Sequence, residues 1–190
     1  MEKTYIEDKD FNQLDFTTET FEKADYENCS FTNCNFSNLD LSKINFSDCR
    51  FTGSNLSLAK LTRTAFKDCT FKHCKLLGLH FDDCHEFLFS VGFDNCHLNL
   101  STFYKRKLKK IIFKDCSLHE VEFTEADLTS ALFDNCDLLR ATFRNTILEK
   151  ADFRTSYNYS IDPDVNRMKK AKFSLAGIAG LLDKYDIEIE

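Results

Sequence analysis

Residues 113–133 read FKDCSLHEVEFTEADLTSALF, and the spacing inside this stretch decides the fold. Phe113, Leu118, Phe123, Leu128 and Phe133 stand five apart, with mostly polar residues between them. An α-helix keeps one face at steps of three and four, so steps of five scatter around its axis. On a strand, odd steps alternate faces, so Phe113 and Leu118 would point in opposite directions. All these side chains can line one interior only if the chain turns a corner every five residues. Four corners close a coil of 20 residues, and such a coil buries its apolar lining only by stacking on its neighbours.

The rule extends outward in both directions. Phe11, Phe31, Phe51, Phe71, Phe93, Phe113, Phe133 and Phe153 recur every 20 residues, with one step of 22 between Phe71 and Phe93. One run of five-residue units covers 6–81 and a second covers 88–153, starting at Leu88. Between them, Asp82 to Gly92 carries a two-residue surplus, expected to bulge from the fourth face near Cys84 to Phe89. The expected architecture is an all-β solenoid over 1–157, followed by a C-terminal element over 158–190.

Two places before the central residue stands, in most units, a small or modest apolar side chain, such as Ala24, Cys29, Cys34, Leu39, Ile44 or Cys49. Eight of the nine cysteines occupy this position, and Cys84 keeps the same spacing at the start of the surplus. They read as small buried hydrophobes carrying free thiols rather than as disulfides. No Cys-x-x-Cys pair exists to build a zinc site, and neither a metal nor a cofactor is expected. One residue of the second run breaks the frame: Arg106 stands two before Leu108, where the residues one and two coils on are Ala126 and Thr146. A buried, unpaired guanidinium is costly, so Arg106 is expected to pair with Asp83 or Glu86 of the bulge. Around it, Lys105, Lys107, Lys109 and Lys110 form the most basic stretch. Glu125 and Asp127, 20 residues beyond Lys105 and Lys107, are expected to pair with those lysines across one coil.

Beyond Phe153, Asp162 before Pro163 is a helix-start signal. A second helix is expected from Leu175 to about Tyr185, and Asp186 to Glu190 alternates like a short strand. Leu175, Ile178, Leu181, Leu182, Tyr185, Ile187 and Ile189 give this element more apolar surface than an end cap requires. A two-fold dimer through it is expected, the other possibility being a cap folded on its own rod.

Composition narrows the function. No apolar run approaches the ~20 residues of a membrane span, and the acidic opening lacks the features of a signal peptide, so a cytoplasmic protein is expected. The five histidines are scattered without a paired nucleophile and no phosphate loop appears, so no catalytic residues are assigned and an enzyme is not expected.

The units Ala24-Asp25-Tyr26-Glu27-Asn28, Cys34-Asn35-Phe36-Ser37-Asn38 and Ala126-Asp127-Leu128-Thr129-Ser130 resemble those of the pentapeptide-repeat family, whose fold is a right-handed quadrilateral β-helix. The ending Leu181-Leu182-Asp183-Lys184-Tyr185-Asp186-Ile187-Glu188-Ile189 resembles the C-termini of its quinolone-resistance (Qnr-type) and microcin-immunity branch. That resemblance implies a homodimer joined at the C-termini. It further implies a DNA-mimicking rod that binds DNA gyrase or topoisomerase IV, protects it from quinolones or a peptide toxin, and does not itself bind nucleic acid. The alternative is a scaffold for another protein partner. Long projecting loops of some members are missing here. A rod of roughly 36 Å corresponds to about 21 negative charges of duplex DNA, whereas this chain has a formal net charge of -6. Residues 1–60 hold 11 acidic and 6 basic residues, 61–110 hold 5 and 9, and 111–160 hold 9 and 5.

Overall fold

Strand pairing in this protein is parallel and runs from each coil to the next. The structure, a computed structural model, describes residues 4–87 and 89–188. On one side of the coil, β1 (Tyr5–Glu7), β3 (Asp25–Glu27) and β5 (Asn45–Ser47) pair in sequence. On the adjacent side, β2 (Asp10–Asn12), β4 (Ser30–Thr32) and β6 (Arg50–Thr52) do the same, Phe11 facing Phe31 and Phe31 facing Phe51. The longer β7 (Ala65–Lys72) spans the corner between these sides and pairs with both β5 and β6. β8 (Phe89–Asp94), β9 (Ile112–Lys114) and β10 (Leu132–Asp134) continue the stack. The two remaining sides are held by single parallel bridges, such as Asn35 to Asn55 and Thr102 to Glu122. Together these pairings make a β-solenoid.

Inside, the central residues form four ladders. The first runs from Phe11 through Phe153, with facing rings 4.5–5.4 Å apart and nearly parallel along most of it. Neighbouring ladders meet edge to face, as at Phe113 and Phe123, 5.8 Å apart at 76°. Phe31, Phe51, Phe71, Phe93, Phe113, Phe133 and Phe153 are buried, while Phe11, in the first coil, is half-buried.

The position two before each central residue does more than fill space. Cys136 Sγ donates to the Phe113 carbonyl at 3.3 Å, and Cys74 Sγ to that of Phe51 at 3.3 Å. Ser54 and Thr146 stand in the same position and donate to the carbonyls of Phe31 and Phe123, each at 2.9 Å. The slot therefore accepts a small side chain, and a donor there serves a buried carbonyl that would otherwise have one partner fewer. All nine cysteines are free and buried, and desolvation pushes the thiols of Cys29, Cys34 and Cys84 above the ordinary range.

The surplus between the runs is three residues gained and one lost. His85 still tracks the regular register, its N–H donating to the Thr64 carbonyl at 2.8 Å. Phe89 then faces Phe66, an offset of 23, and Val91 faces Cys69, an offset of 22. The chain thus leaves the register after His85, and Phe89 takes the fourth-ladder place; Leu88, expected to open the second run, lies outside the described residues. Arg106 is buried above this break, but not against the expected carboxylates. Its guanidinium donates to the carbonyls of Cys84 (3.0 Å) and His85 (3.1 Å), the last residues before the insertion, and its Cζ lies 4.4 Å from the Phe89 ring centroid. Glu86 instead pairs with Lys107 at 3.2 Å, and no ion pair joins Asp83 to Arg106. Carbonyls released where the chain leaves the ladder need a donor that reaches both, and a planar guanidinium supplies it.

The C-terminal region differs from expectation. The ladder does not stop at Phe153: Phe173 stacks on it at 5.3 Å and 1°, and Arg167 and Lys172 bridge to Ile147 and Asp152. Asp162 and Pro163 start no helix. Asp162 Oδ1 accepts the Asp164 N–H at 2.9 Å in a tight turn, and Asn166, in the slot two before Met168, donates to the Phe143 carbonyl at 3.0 Å and returns the chain to the stack. In place of a helix from Leu175 to Tyr185 there are two 3-10 turns, Ile178–Leu181 and Asp183–Tyr185. The reason is the seat of Gly177 and Gly180 against Tyr159. The Gly180 carbonyl accepts the Ile161 N–H at 2.8 Å, and a Cβ on Gly180 would collide with the Tyr159 backbone. Residues 186–188 form no strand, and Ile189 lies outside the described residues.

Two expected outcomes follow. Arg106→Ala leaves both carbonyls without their donor and should destabilise the fold by about 2–4 kcal/mol, read as a lower urea midpoint at unchanged slope. In the native protein none of the nine cysteines should react with a thiol reagent at pH 8, and all should react in denaturant.

Candidate interaction surfaces

With the interior full of rings and leucines, binding is left to the outside. Around each central residue, the residue before it and the two after it face outward. The second of these sits at a corner with positive φ in nearly every unit, as at Asn28 (49°), Asp48 (53°), Lys110 (61°) and Lys170 (61°). Asn, Asp and Gly tolerate this conformation and fill many of the corners. That bias was visible in the sequence and is the signal the periodicity argument left unread.

The faces differ in chemistry. Outside the second ladder the middle coils carry few charges and expose Leu58, Leu77 and Leu100. Leu58 and Leu100 are 58% and 57% exposed and occupy positive-φ corners, an unfavourable place for a bulky apolar residue. Among the outward residues beside Ile6, Tyr26, Phe46 and Phe66 of the fourth ladder are Glu7, Asp8, Asp25, Glu27, Asp48 and Asp68, against one base, Lys67. Past the insertion the same face turns basic. Lys107, Lys109 and Lys110 flank Leu108, Lys150 follows Leu148, and Arg167, Lys169 and Lys170 flank Met168. Asp127 and Glu149 are the acids of that half. They pair with Lys109 at 3.3 Å and Arg167 at 2.8 Å.

Lys105 pairs with Glu125 at 3.5 Å across one coil, as its spacing suggests. Lys107 lies beside Asp127 in the ladder, but its ammonium goes to Glu86 and leaves Asp127 to Lys109. These exposed pairs contribute little each.

At the C-terminal end, Leu175 is 86% exposed, and Ile178, Tyr185 and Ile187 are exposed. Leu181 packs on the core, and Leu182 is half-buried. Lys184 ties the element down by ion pairs to Asp162, at 2.6 Å, and to Asp164. Among the described residues no cluster of His, Cys, Asp or Glu could hold a metal ion, and no helix is long and apolar enough to cross a membrane.

Comparison with known proteins agrees with this geometry. A family model described as a pentapeptide repeat region matches residues 24–86 and 87–158. No curated protein sequence matches the chain. Among solved structures, a trypsin-treated form of QnrB1, a plasmid-mediated fluoroquinolone resistance protein, superposes with a TM-score of 0.63 at 17% identity, covering 98% of this chain and 100% of that one. HetL, a pentapeptide repeat protein involved in heterocyst differentiation regulation from the cyanobacterium Nostoc sp. strain PCC 7120, aligns over 90% of this chain and 87% of its own, with a TM-score of 0.49 at 14% identity. Five-residue units, ladders at a 20-residue offset and a family match over most of the chain lead to one conclusion: the protein belongs to the pentapeptide repeat family.

Proposed function

We propose that this protein is a non-enzymatic, cytoplasmic DNA mimic that docks on a type II topoisomerase, gyrase or topoisomerase IV, and shields it from quinolones or a peptide toxin. In this reading the four-ladder coil is a right-handed quadrilateral β-helix, and the rods are paired as a homodimer through exposed Leu175, Ile178, Tyr185 and Ile187. The observation that carries the reading is the acidic half of the fourth face. Glu7, Asp8, Asp25, Glu27, Asp48 and Asp68 project from successive coils at a rise of ~4.8 Å, a row of fixed negative charge suited to a cationic DNA-binding groove. The QnrB1 likeness supports the rod shape.

A second reading, a scaffold for a different protein partner, is favoured by the second face. Leu58, Leu77 and Leu100 are exposed there on a surface of few charges, which suits apolar protein contact better than DNA imitation.

Gyrase supercoiling inhibited by a quinolone should recover when the purified protein is added, and Asp48→Lys with Asp68→Lys should raise the concentration required about tenfold. Absence of recovery at any concentration rejects the topoisomerase reading and leaves the scaffold. Leu175→Asp with Ile178→Asp should abolish C-terminal pairing on size exclusion, and an unchanged elution volume would reject that interface.

A further inference from the structure

The charges on the fourth face are arranged with a symmetry that a DNA mimic does not need. Phe89 occupies the middle level of this ladder. Four levels precede it, at Ile6, Tyr26, Phe46 and Phe66, and four follow, at Leu108, Leu128, Leu148 and Met168. The four preceding levels together carry six acids against one base, Lys67, and the four following ones seven bases against two acids, Asp127 and Glu149. The most acidic outer level, Glu7 with Asp8, and the most basic one, Arg167 with Lys169 and Lys170, lie equally far from the centre, about 19 Å on either side at ~4.8 Å per coil. At the centre the insertion presents Phe87, 82% exposed.

A two-fold axis at the Phe89 level, lying in the plane of contact and perpendicular to the rod, brings a second rod face to face with the first in antiparallel sense. The acidic half of each rod then lies on the basic half of the other. Glu7 and Asp8 meet Lys169 and Lys170; Asp25 and Glu27 meet Lys150; Asp68 meets Lys109 and Lys110. Phe87 lies next to the axis, where it meets its own copy. Like charges also meet, Asp48 with Asp127, Glu27 with Glu149 and Lys67 with Lys109, but Asp127 and Glu149 are already paired within their own rod, with Lys109 and Arg167. Lys110, Lys150, Lys169 and Lys170 have no ion-pair partner among the described residues, so they are available to an incoming carboxylate. A charge pattern that is its own complement under one rotation is what an isologous interface requires.

From this we infer that the fourth face is a self-association surface, on which a second copy of this chain docks antiparallel, charge half on charge half, with Phe87 at the centre. The contact is distinct from the C-terminal element and does not rest on the topoisomerase reading. One coil side along the rod gives roughly 500 Å² per partner, the size of a transient, salt-sensitive contact.

Sedimentation velocity of the full chain tests the inference with two exposed-site variants, Glu7→Lys with Asp8→Lys, and Lys169→Glu with Lys170→Glu. The unaltered chain should self-associate at low salt, with Kd rising about tenfold or more between 50 and 500 mM NaCl. Each variant alone should lose association about tenfold, and a mixture of the two should regain it, because each then offers the charge the other lacks. Phe87→Asp should also weaken pairing. The inference is overturned if the chain stays monomeric at low salt, including the case in which a short DNA duplex binds the basic half of that monomer. It is equally overturned if association ignores salt and both charge reversals, as a purely C-terminal apolar dimer would, or if the mixture fails to recover.

Discussion

Vertical register governs this molecule. Each coil offers its backbone N–H and carbonyl groups to the coil above and below, and the same 20-residue offset that closes those bonds sets ring on ring at about 5 Å. A slip of one residue would turn every central side chain outward and put polar residues inside. The hydrogen-bond ladder and the apolar interior are therefore a single constraint, and neither survives without the other. The slot two before each central residue reinforces it. Cysteine, serine, threonine and asparagine there all bind the same carbonyl one coil back, so the slot selects for size first and for a donor second.

The insertion after His85 shows how strict the register is. The chain leaves the ladder after His85 and rejoins it at Phe89, omitting one residue before Val91 so that Phe93 falls back over Phe71 at 5.4 Å. What the excursion leaves behind is a pair of carbonyls without their usual donor. Arg106, from the coil that follows, fills that need with its guanidinium. The arginine is buried because the backbone, rather than a carboxylate, needs its protons.

Much of this was legible in the residues. The five-residue period places the first ladder from Phe11 to Phe153, locates the surplus on the fourth face, and marks Arg106 as abnormal. The partner of Arg106 was not legible, because sequence arithmetic aligns side chains across coils and says nothing of which carbonyls an insertion strands. The last coil was missed for a related reason. Pro163 stands where an apolar residue is due and Tyr157 and Tyr159 straddle the place before it, so the period fails locally while Met168 and Phe173 resume it. The helix expected from Leu175 to Tyr185 rested on apolar spacing alone. It overlooked Gly177 and Gly180, whose missing side chains let the segment lie flat on Tyr159. Among the surface positions, the polar residues between the central ones include the Asn, Asp and Gly that make the corners possible.

The same rigidity explains why this surface can hold information. In a globular domain, moving a charge by one residue changes its direction as well as its place. Here each outward position lies on a straight column with a fixed rise, so a sequence can write a charge pattern on one face without disturbing the core. The fourth face uses that freedom twice, acidic below Phe89 and basic above it. Its halves meet at the one level where the chain leaves the ladder. If the acidic half alone were the working surface, nothing in the fold would require the other half to be its electrostatic mirror; lysines at Lys109, Lys110, Lys150, Lys169 and Lys170 weaken a purely anionic rod at distances comparable with the ~8 Å screening length. A partner of the opposite polarity along the same axis accounts for both halves together, and the rod itself, reversed, has that polarity.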